Sequence, residues 1–109
     1  MTNNVTIYQI KNVRDTDYAF RGWEGAERYL STRPLTADYD AVVNTHYNVS
    51  EYDCVRDFLE ALYATYNSPF TRPANMRSLS VSDIVKVDNA YYYCDNFSWV
   101  EITDKIKIS

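Results

Sequence analysis

The sequence is poor in the residue types that build metal sites and many catalytic sites. It contains 2 Gly, 2 Cys and 1 His. His46 has no second histidine to join it, and Cys54 and Cys94 are too far apart along the chain for the usual zinc-ligand spacings. No phosphate-binding glycine loop, dinucleotide fingerprint or HExxH motif is present. We therefore predict a protein that is not an enzyme and that has no metal and no cofactor.

Long apolar runs and an excess of basic residues are also absent. A membrane helix needs roughly 20 apolar residues, and residues 1–4 have neither a basic nor an apolar stretch, so we expect no signal peptide. These features predict a cytoplasmic protein with two reduced thiols, and a disulfide is the alternative. The 11 basic residues are outnumbered by 15 acidic ones, for a formal net charge of −4. Because phosphate contacts need Lys or Arg, we expect no direct nucleic-acid binding and no membrane binding.

What the sequence does contain is a globular pattern. Hydrophobic residues make up 46% and charged residues 24%, which at 109 residues is typical of one domain over 1–109. The patterning predicts strands over 5–10 and 39–47, helices over 20–30 and 51–66, and antiparallel strands over 84–87, 90–94 and 97–102. Alternation over 105–108 predicts a short edge strand. The expected fold class is α+β: strand, helix, strand, helix and then a three-stranded antiparallel meander, with the helices packed on one face of one sheet.

The longest predicted helix has the clearest signals. Ser50 followed by Asp53 has the spacing of a capping box, and Asn67 and Pro69 can end the helix. Apolar residues then recur at helical spacing and form one core-facing stripe, which consists of Val55, Phe58, Leu59, Leu62, Tyr63 and Tyr66.

Negative charge is concentrated in one part of the chain. Residues 35–66 contain one basic and six acidic residues, whereas residues 1–34 have a net charge of +1 and residues 67–109 a net charge of zero. On the predicted helix, Asp53, Asp57 and Glu60 share a face opposite the apolar stripe. We predict that they form a recognition surface for a basic partner, which Asp38 and Asp40 could extend. An ordinary solvated helix face is the alternative.

A run of three tyrosines, Tyr91 to Tyr93, lies in a predicted strand. Alternate residues of a strand face opposite sides, so at least one of these rings is expected on the solvated face, and we select Tyr92. It could anchor a protein interface or, less compatibly with the net charge, stack on nucleic-acid bases. A cross-strand aromatic that only stabilises the sheet is the alternative.

Two stretches of the C-terminal third form distinctive motifs, 77–85 (RSLSVSDIV) and 90–97 (AYYYCDNF). They resemble the serine-rich segment and the hairpin ending in "yyCDs" of the YodL-like domain family. The opening strand, the Arg14 to Phe20 segment and the long helix also fit, although a glycine usual after the second motif is missing here. The resemblance assigns seven motif residues: Ser78, Ser80, Ser82, Asp83, Tyr93, Cys94 and Asp95. Ser and Asp side chains often fix loops, so this motif could also be structural.

What the resemblance implies is a binder of a host protein. YodL-like domains are a recurring part of proteins from mobile elements of Gram-positive bacteria, and small members are similar to inhibitors of type II CRISPR nucleases. The implied function is a counter-defence protein that binds such a nuclease and blocks guide RNA or DNA loading. The alternative is an inhibitor of the actin-like shape protein MreB. We expect a monomer or a weak dimer.

Overall fold

The computed structural model describes residues 2–107. Its strands are β1 (Asn3–Ile10), β2 (Tyr39–Tyr47), β3 (Ile84–Val87), β4 (Ala90–Cys94) and β5 (Trp99–Glu101). Its helices are α1 (Trp23–Leu30), α2 (Leu35–Asp38) and α3 (Val55–Asn67). The prediction of a mixed α+β domain is confirmed.

Within residues 2–107, five strands form one antiparallel sheet in the order β2-β1-β3-β4-β5. The sheet therefore has five strands rather than the three of the predicted meander, because β1 lies between β2 and β3 and joins the two halves of the chain. The element order also differs from the prediction, since the short helix α2, which was not predicted, precedes β2.

The helices cover both faces of the sheet, so the prediction that they pack on one face is wrong. Val5 and Ile7 of β1 belong to the cluster around α3, whereas Ile10 belongs to the cluster around α1. Alternate residues of a strand point to opposite faces, so each face of β1 needs its own helix layer. The α3 layer includes Phe58, Leu59, Leu62, Leu79, Val85 and Trp99. The α1 layer includes Trp23, Ala26, Leu30, Tyr39, Ile84, Tyr91 and Tyr93.

The predicted start of the long helix is also wrong. Val49–Glu51 forms a 3₁₀ turn, and the Ser50 hydroxyl bonds the Asn48 side chain at 2.6 Å instead of capping a helix. The α-helix begins only at Val55, with Cys54 as an N-cap that makes no side-chain capping bond. The predicted apolar stripe nonetheless faces the core.

Two other elements are shorter than predicted, and a third is replaced by a single bridge. Helix α1 begins at Trp23 rather than at residue 20, and β5 spans Trp99–Glu101 rather than 97–102. In place of the edge strand over 105–108, Lys107 makes an isolated parallel bridge with Pro34. Residue 108 lies outside the described part of the chain. Among residues 2–107, no helix is both long and apolar enough to cross a lipid bilayer.

Candidate functional site

Three of the predicted partner-binding carboxylates lie at the surface on α3 and just before it. Asp53, Asp57 and Glu60 are all exposed. Asp57 and Glu60 are three residues apart on the helix and so share one side of it. Asp53 precedes the helix, which begins at Val55, so the prediction that all three share one helix face is wrong. Throughout residues 2–107, none of the three has a Lys, Arg or His nitrogen within 4.0 Å. These three side chains, here called the acidic surface, are available to a basic partner.

Asp38 does not extend the acidic surface, and its prediction as a partner-binding residue is wrong. It is 8% exposed. Its carboxylate accepts a hydrogen bond from the Tyr18 hydroxyl at 2.7 Å and pairs with Arg33 at 2.7 Å. The short helix α2 turns this side chain inward. Its ion pair with Arg33 and its bond with Tyr18 stabilise the segment between α1 and β2. Burial and the Asp38 carboxylate together raise the pKa of Tyr18.

Asp40 is exposed at the start of β2. It lines a shallow cleft that Lys11 and Arg77 also line. The chain leads to α3 from the opposite end of this strand. The place of Asp40 in the acidic surface stays a prediction.

The three consecutive tyrosines divide between the two faces of the sheet. Tyr91 and Tyr93 are buried in the α1 layer, and Tyr92 is half-buried against the α3 layer. Tyr92 pairs across the strands with Val85 and Glu101. Burial and the Glu101 carboxylate raise its pKa. This position suits a sheet-stabilising aromatic, and a role of Tyr92 in partner binding stays a prediction.

The motif aspartate Asp83 is buried at the centre of the molecule and is 1% exposed. One carboxylate oxygen accepts hydrogen bonds from the Ser80 amide at 2.8 Å and from the Gln9 side-chain amide at 3.0 Å. Gln9 in turn accepts a bond from the Arg77 amide at 3.1 Å. Asp83 and Gln9 thus connect strand β1 to the segment 77–83, which precedes β3. Burial outweighs these bonds and the nearby Arg77 charge, and it raises the pKa of Asp83 to about 6.

The preceding motif residue, Ser82, connects three parts of the chain. Its φ is 83°, in the left-handed region. Its hydroxyl accepts a hydrogen bond from the Phe20 amide at 2.9 Å, and its carbonyl accepts one from the Tyr39 hydroxyl at 2.7 Å. Its own amide donates to the Cys94 carbonyl at 3.0 Å. Ser82 therefore fixes the loop before α1 against the sheet.

Two further motif residues hold the same loop. The Tyr93 hydroxyl donates to the Arg21 carbonyl at 2.7 Å, and the Asp95 carboxylate accepts from the Trp23 amide at 2.8 Å. Asp95 thereby caps α1 from a distant turn. The approach at Gly22 is close. A Cβ there would lie 2.5 Å from the Asp95 carboxylate and would displace this capping side chain. Together with Ser82, these residues bind the segment 20–23 at three successive points.

The remaining motif residues also bind within the domain. The Ser80 hydroxyl donates to the Ser78 carbonyl at 2.8 Å, and the Ser78 hydroxyl accepts from Arg72. Cys94 is buried and its amide donates to the Asp83 carbonyl at 2.9 Å. The motif residues are thus bonded within the domain, and three of them, Ser82, Tyr93 and Asp95, hold the segment 20–23.

The histidine and the two cysteines are the residues with the most reactive side chains. His46 is exposed on β2, and in the part of the chain that the structure describes no group of three His, Cys, Asp or Glu side chains could hold a metal ion. Cys54 is a free, exposed thiol, and Cys94 is a free, buried one. Burial raises the pKa of Cys94 to about 12, which makes it a poor nucleophile.

Exposed aromatic side chains are the feature that the sequence did not reveal. Phe97 is 97% exposed, Phe70 is 94% exposed and Phe20 is 51% exposed. Phe97 was predicted in a strand, but it lies in the turn before β5. The turn-forming pair Asp95 and Asn96 was the signal that could have placed it there.

These observations define a small α+β domain whose internal motif fixes one loop and whose surface carries exposed carboxylates and exposed aromatic side chains. The chain belongs to the YodL-like domain family, whose family model matches residues 4–104. The resemblance stated from the sequence is therefore confirmed. A comparison with curated proteins finds no match, and neither does a comparison with solved structures.

Proposed function

We propose that this YodL-like domain is a non-enzymatic counter-defence protein of a mobile genetic element. It binds a host type II CRISPR nuclease in the bacterial cytoplasm and blocks the loading of guide RNA or DNA. The observation that carries this proposal is the acidic surface of Asp53, Asp57 and Glu60, which is exposed and free of internal ion pairs among residues 2–107.

The proposed mechanism is competition for a basic groove. A nuclease that holds nucleic acid must present Lys and Arg to the phosphates. Carboxylates on a protein can occupy the same groove, raise the association rate by electrostatic attraction and exclude the phosphates. This mechanism requires no chemical step. It explains how a domain with a formal net charge of −4 can act on a nucleic-acid-binding protein without binding nucleic acid.

The test is guide loading by a purified type II CRISPR nuclease, followed by fluorescence anisotropy of labelled guide RNA. The wild-type domain is expected to slow or prevent loading. The variant D53K/D57K/E60K is expected to lose this effect, because reversed charges repel a basic groove. The three substitutions are at exposed positions, so circular dichroism should show an intact fold.

A matched control reverses three exposed carboxylates on the other side of the sheet. The variant D15K/D17K/D104K undergoes the same change in net charge within loops near the α1 layer. It is expected to inhibit loading as the wild type does. Equal inhibition by both triple variants and the wild type would rule out the acidic surface as the interface.

Inhibition of MreB is the alternative function that family membership allows. It also needs only a specific protein surface. Swollen cells on expression of the domain, with guide loading unaffected, would favour MreB over the nuclease.

A further inference from the structure

Two exposed aromatic side chains border one open cleft. Phe20, which is 51% exposed, and Phe97, which is 97% exposed, both line a depression of about 990 Å³. It lies between the start of α1 and the turn before β5, and Trp23 and Val100 contribute to its wall. We call it the Phe20–Phe97 cleft. Neither ring is buried by the fold, so core packing does not explain them.

The backbone at Phe20 is in an unfavourable conformation. Its φ is 63°, in the left-handed region that a bulky side chain rarely adopts. Three hydrogen bonds hold the segment 20–23 in place. The Phe20 amide donates to the Ser82 hydroxyl, the Trp23 amide donates to the Asp95 carboxylate, and the Tyr93 hydroxyl donates to the Arg21 carbonyl. Local strain that the surrounding structure maintains is typical of binding sites. Here its result is that an apolar ring points to the surface beside the cleft instead of into the core.

The charges around the cleft are mixed, with acidic side chains in slight excess. Glu24, Glu27 and Asp95 line it, against two basic side chains, Arg21 and Lys105. On its other side, Phe97 borders a second, smaller cleft that Glu60 lines. Because Glu60 belongs to the acidic surface, the aromatic cleft and the acidic surface are continuous through Phe97.

We propose that the Phe20–Phe97 cleft is the apolar anchor of the binding surface and that its occupant is a protein segment with an aliphatic or aromatic side chain flanked by Lys or Arg. The apolar side chain would pack between the two rings, and its basic neighbours would reach Glu24, Glu27 and Glu60. Interfaces commonly combine such an aromatic anchor with a charged rim. The inference deepens the proposed function and rests on it for the identity of the target.

Charge and shape both favour this occupant over other ligands. Phosphates of a nucleic acid or of anionic lipids would meet more carboxylates than basic groups, since Glu24, Glu27, Asp95 and the neighbouring Glu60 outnumber Arg21 and Lys105. A small molecule would stay largely in solvent, since the cleft is open, whereas small-molecule sites usually enclose most of their ligand.

The test measures binding of two probes to variants of the full chain. The first probe is the guide-free type II CRISPR nuclease. The second is a synthetic peptide with a Leu-Phe core flanked by Lys, compared with a Glu-flanked peptide of the same core and followed by nuclear magnetic resonance. The variants are F97A and F20N, since Asn tolerates the left-handed conformation. The control is F70A, which removes an equally exposed ring outside the cleft.

We expect F97A and F20N to weaken binding of at least one probe by roughly tenfold or more, while F70A binds as the wild type does. The Lys-flanked peptide should shift the resonances of Trp23 and Val100, and the Glu-flanked peptide should not. If F97A and F70A bind both probes equally, or if the wild type binds neither, the inference is wrong. Peptide binding that depends on Phe97 without nuclease binding would support the cleft and contradict the proposed target. Nuclease binding that is lost in D53K/D57K/E60K but intact in F97A would support the proposed target and contradict the role of the cleft.

Discussion

Replacing the buried motif aspartate should change how stability depends on pH. Burial raises the pKa of Asp83 from 3.8 to about 6, and we take 3.8 for the unfolded chain. Between these two values the folded state binds more protons than the unfolded state. The contribution of Asp83 to the free energy of unfolding therefore falls as pH rises from about 4 to about 6. The separation of the two values corresponds to ~3 kcal/mol lost by neutral pH.

The variant D83N removes this titration with little change in shape. Both hydrogen bonds to the Asp83 side chain, from Ser80 and Gln9, go to one oxygen, which the Asn carbonyl can replace. The new amide group could lack a partner, and this would cost about 1–3 kcal/mol at every pH. The diagnostic quantity is thus the pH dependence of the difference between D83N and the wild type. We expect D83N to gain ~3 kcal/mol relative to the wild type between pH ~4 and pH ~7.

Urea denaturation at a series of pH values measures this difference, and D88N is the control. Asp88 is exposed, and hydrogen bonds from the Asn3 side chain and the Asn4 amide lower its pKa. Its stabilising contribution is present above the unfolded pKa and is lost as pH falls. D88N should therefore lose stability at neutral pH relative to acid pH, with the opposite sign to D83N. A D83N difference that is constant across the pH range would refute the assignment of a raised pKa.

Three further predictions concern the motif core and the thiols. Tyr39→Phe should lower the free energy of unfolding by about 1–2 kcal/mol, measured by urea denaturation, because a buried carbonyl loses its donor. Gly22→Ala should destabilise by about 1 kcal/mol or more, since the new Cβ would lie 2.5 Å from the Asp95 carboxylate that caps α1, and an unchanged melting temperature would contradict this. Thiol labelling of the native protein should modify Cys54 alone, and Cys94 should react only after unfolding. Equal labelling rates at both thiols would show that the core around Cys94 opens readily.

Individual helices and strands could be predicted from the sequence, but the pairing of distant strands could not. The apolar stripe of α3 and the β-branched run of β1 are periodic over many residues, so both elements were predicted. That β1 lies between β2 and β3 depends on pairing with residues about 80 positions away, for which no local pattern exists. The run 5–10 has β-branched or aromatic residues at both alternating sets of positions, and this pattern fits a strand that is covered on both faces.

In the candidate site, too, the residues whose exposure follows from local spacing were predicted, and those whose environment depends on distant contacts were not. Helical spacing correctly placed Asp57 and Glu60 at the surface, because position on a helix follows from period alone. Asp38 was misplaced because its burial depends on Tyr18 and Arg33, which α2 brings to it. The exposed ring of Phe20 depends on a left-handed backbone that distant hydrogen bonds maintain, and local sequence does not encode it.

The most direct test of the account is the binding of labelled domain to guide-free type II CRISPR nuclease, measured by titration at low and at physiological salt. We predict saturable binding that weakens with salt, is displaced by guide RNA and is lost in D53K/D57K/E60K. Binding that is indifferent to salt, to guide RNA and to the triple charge reversal, or no binding at all, would contradict the proposal that this YodL-like domain acts through its acidic surface.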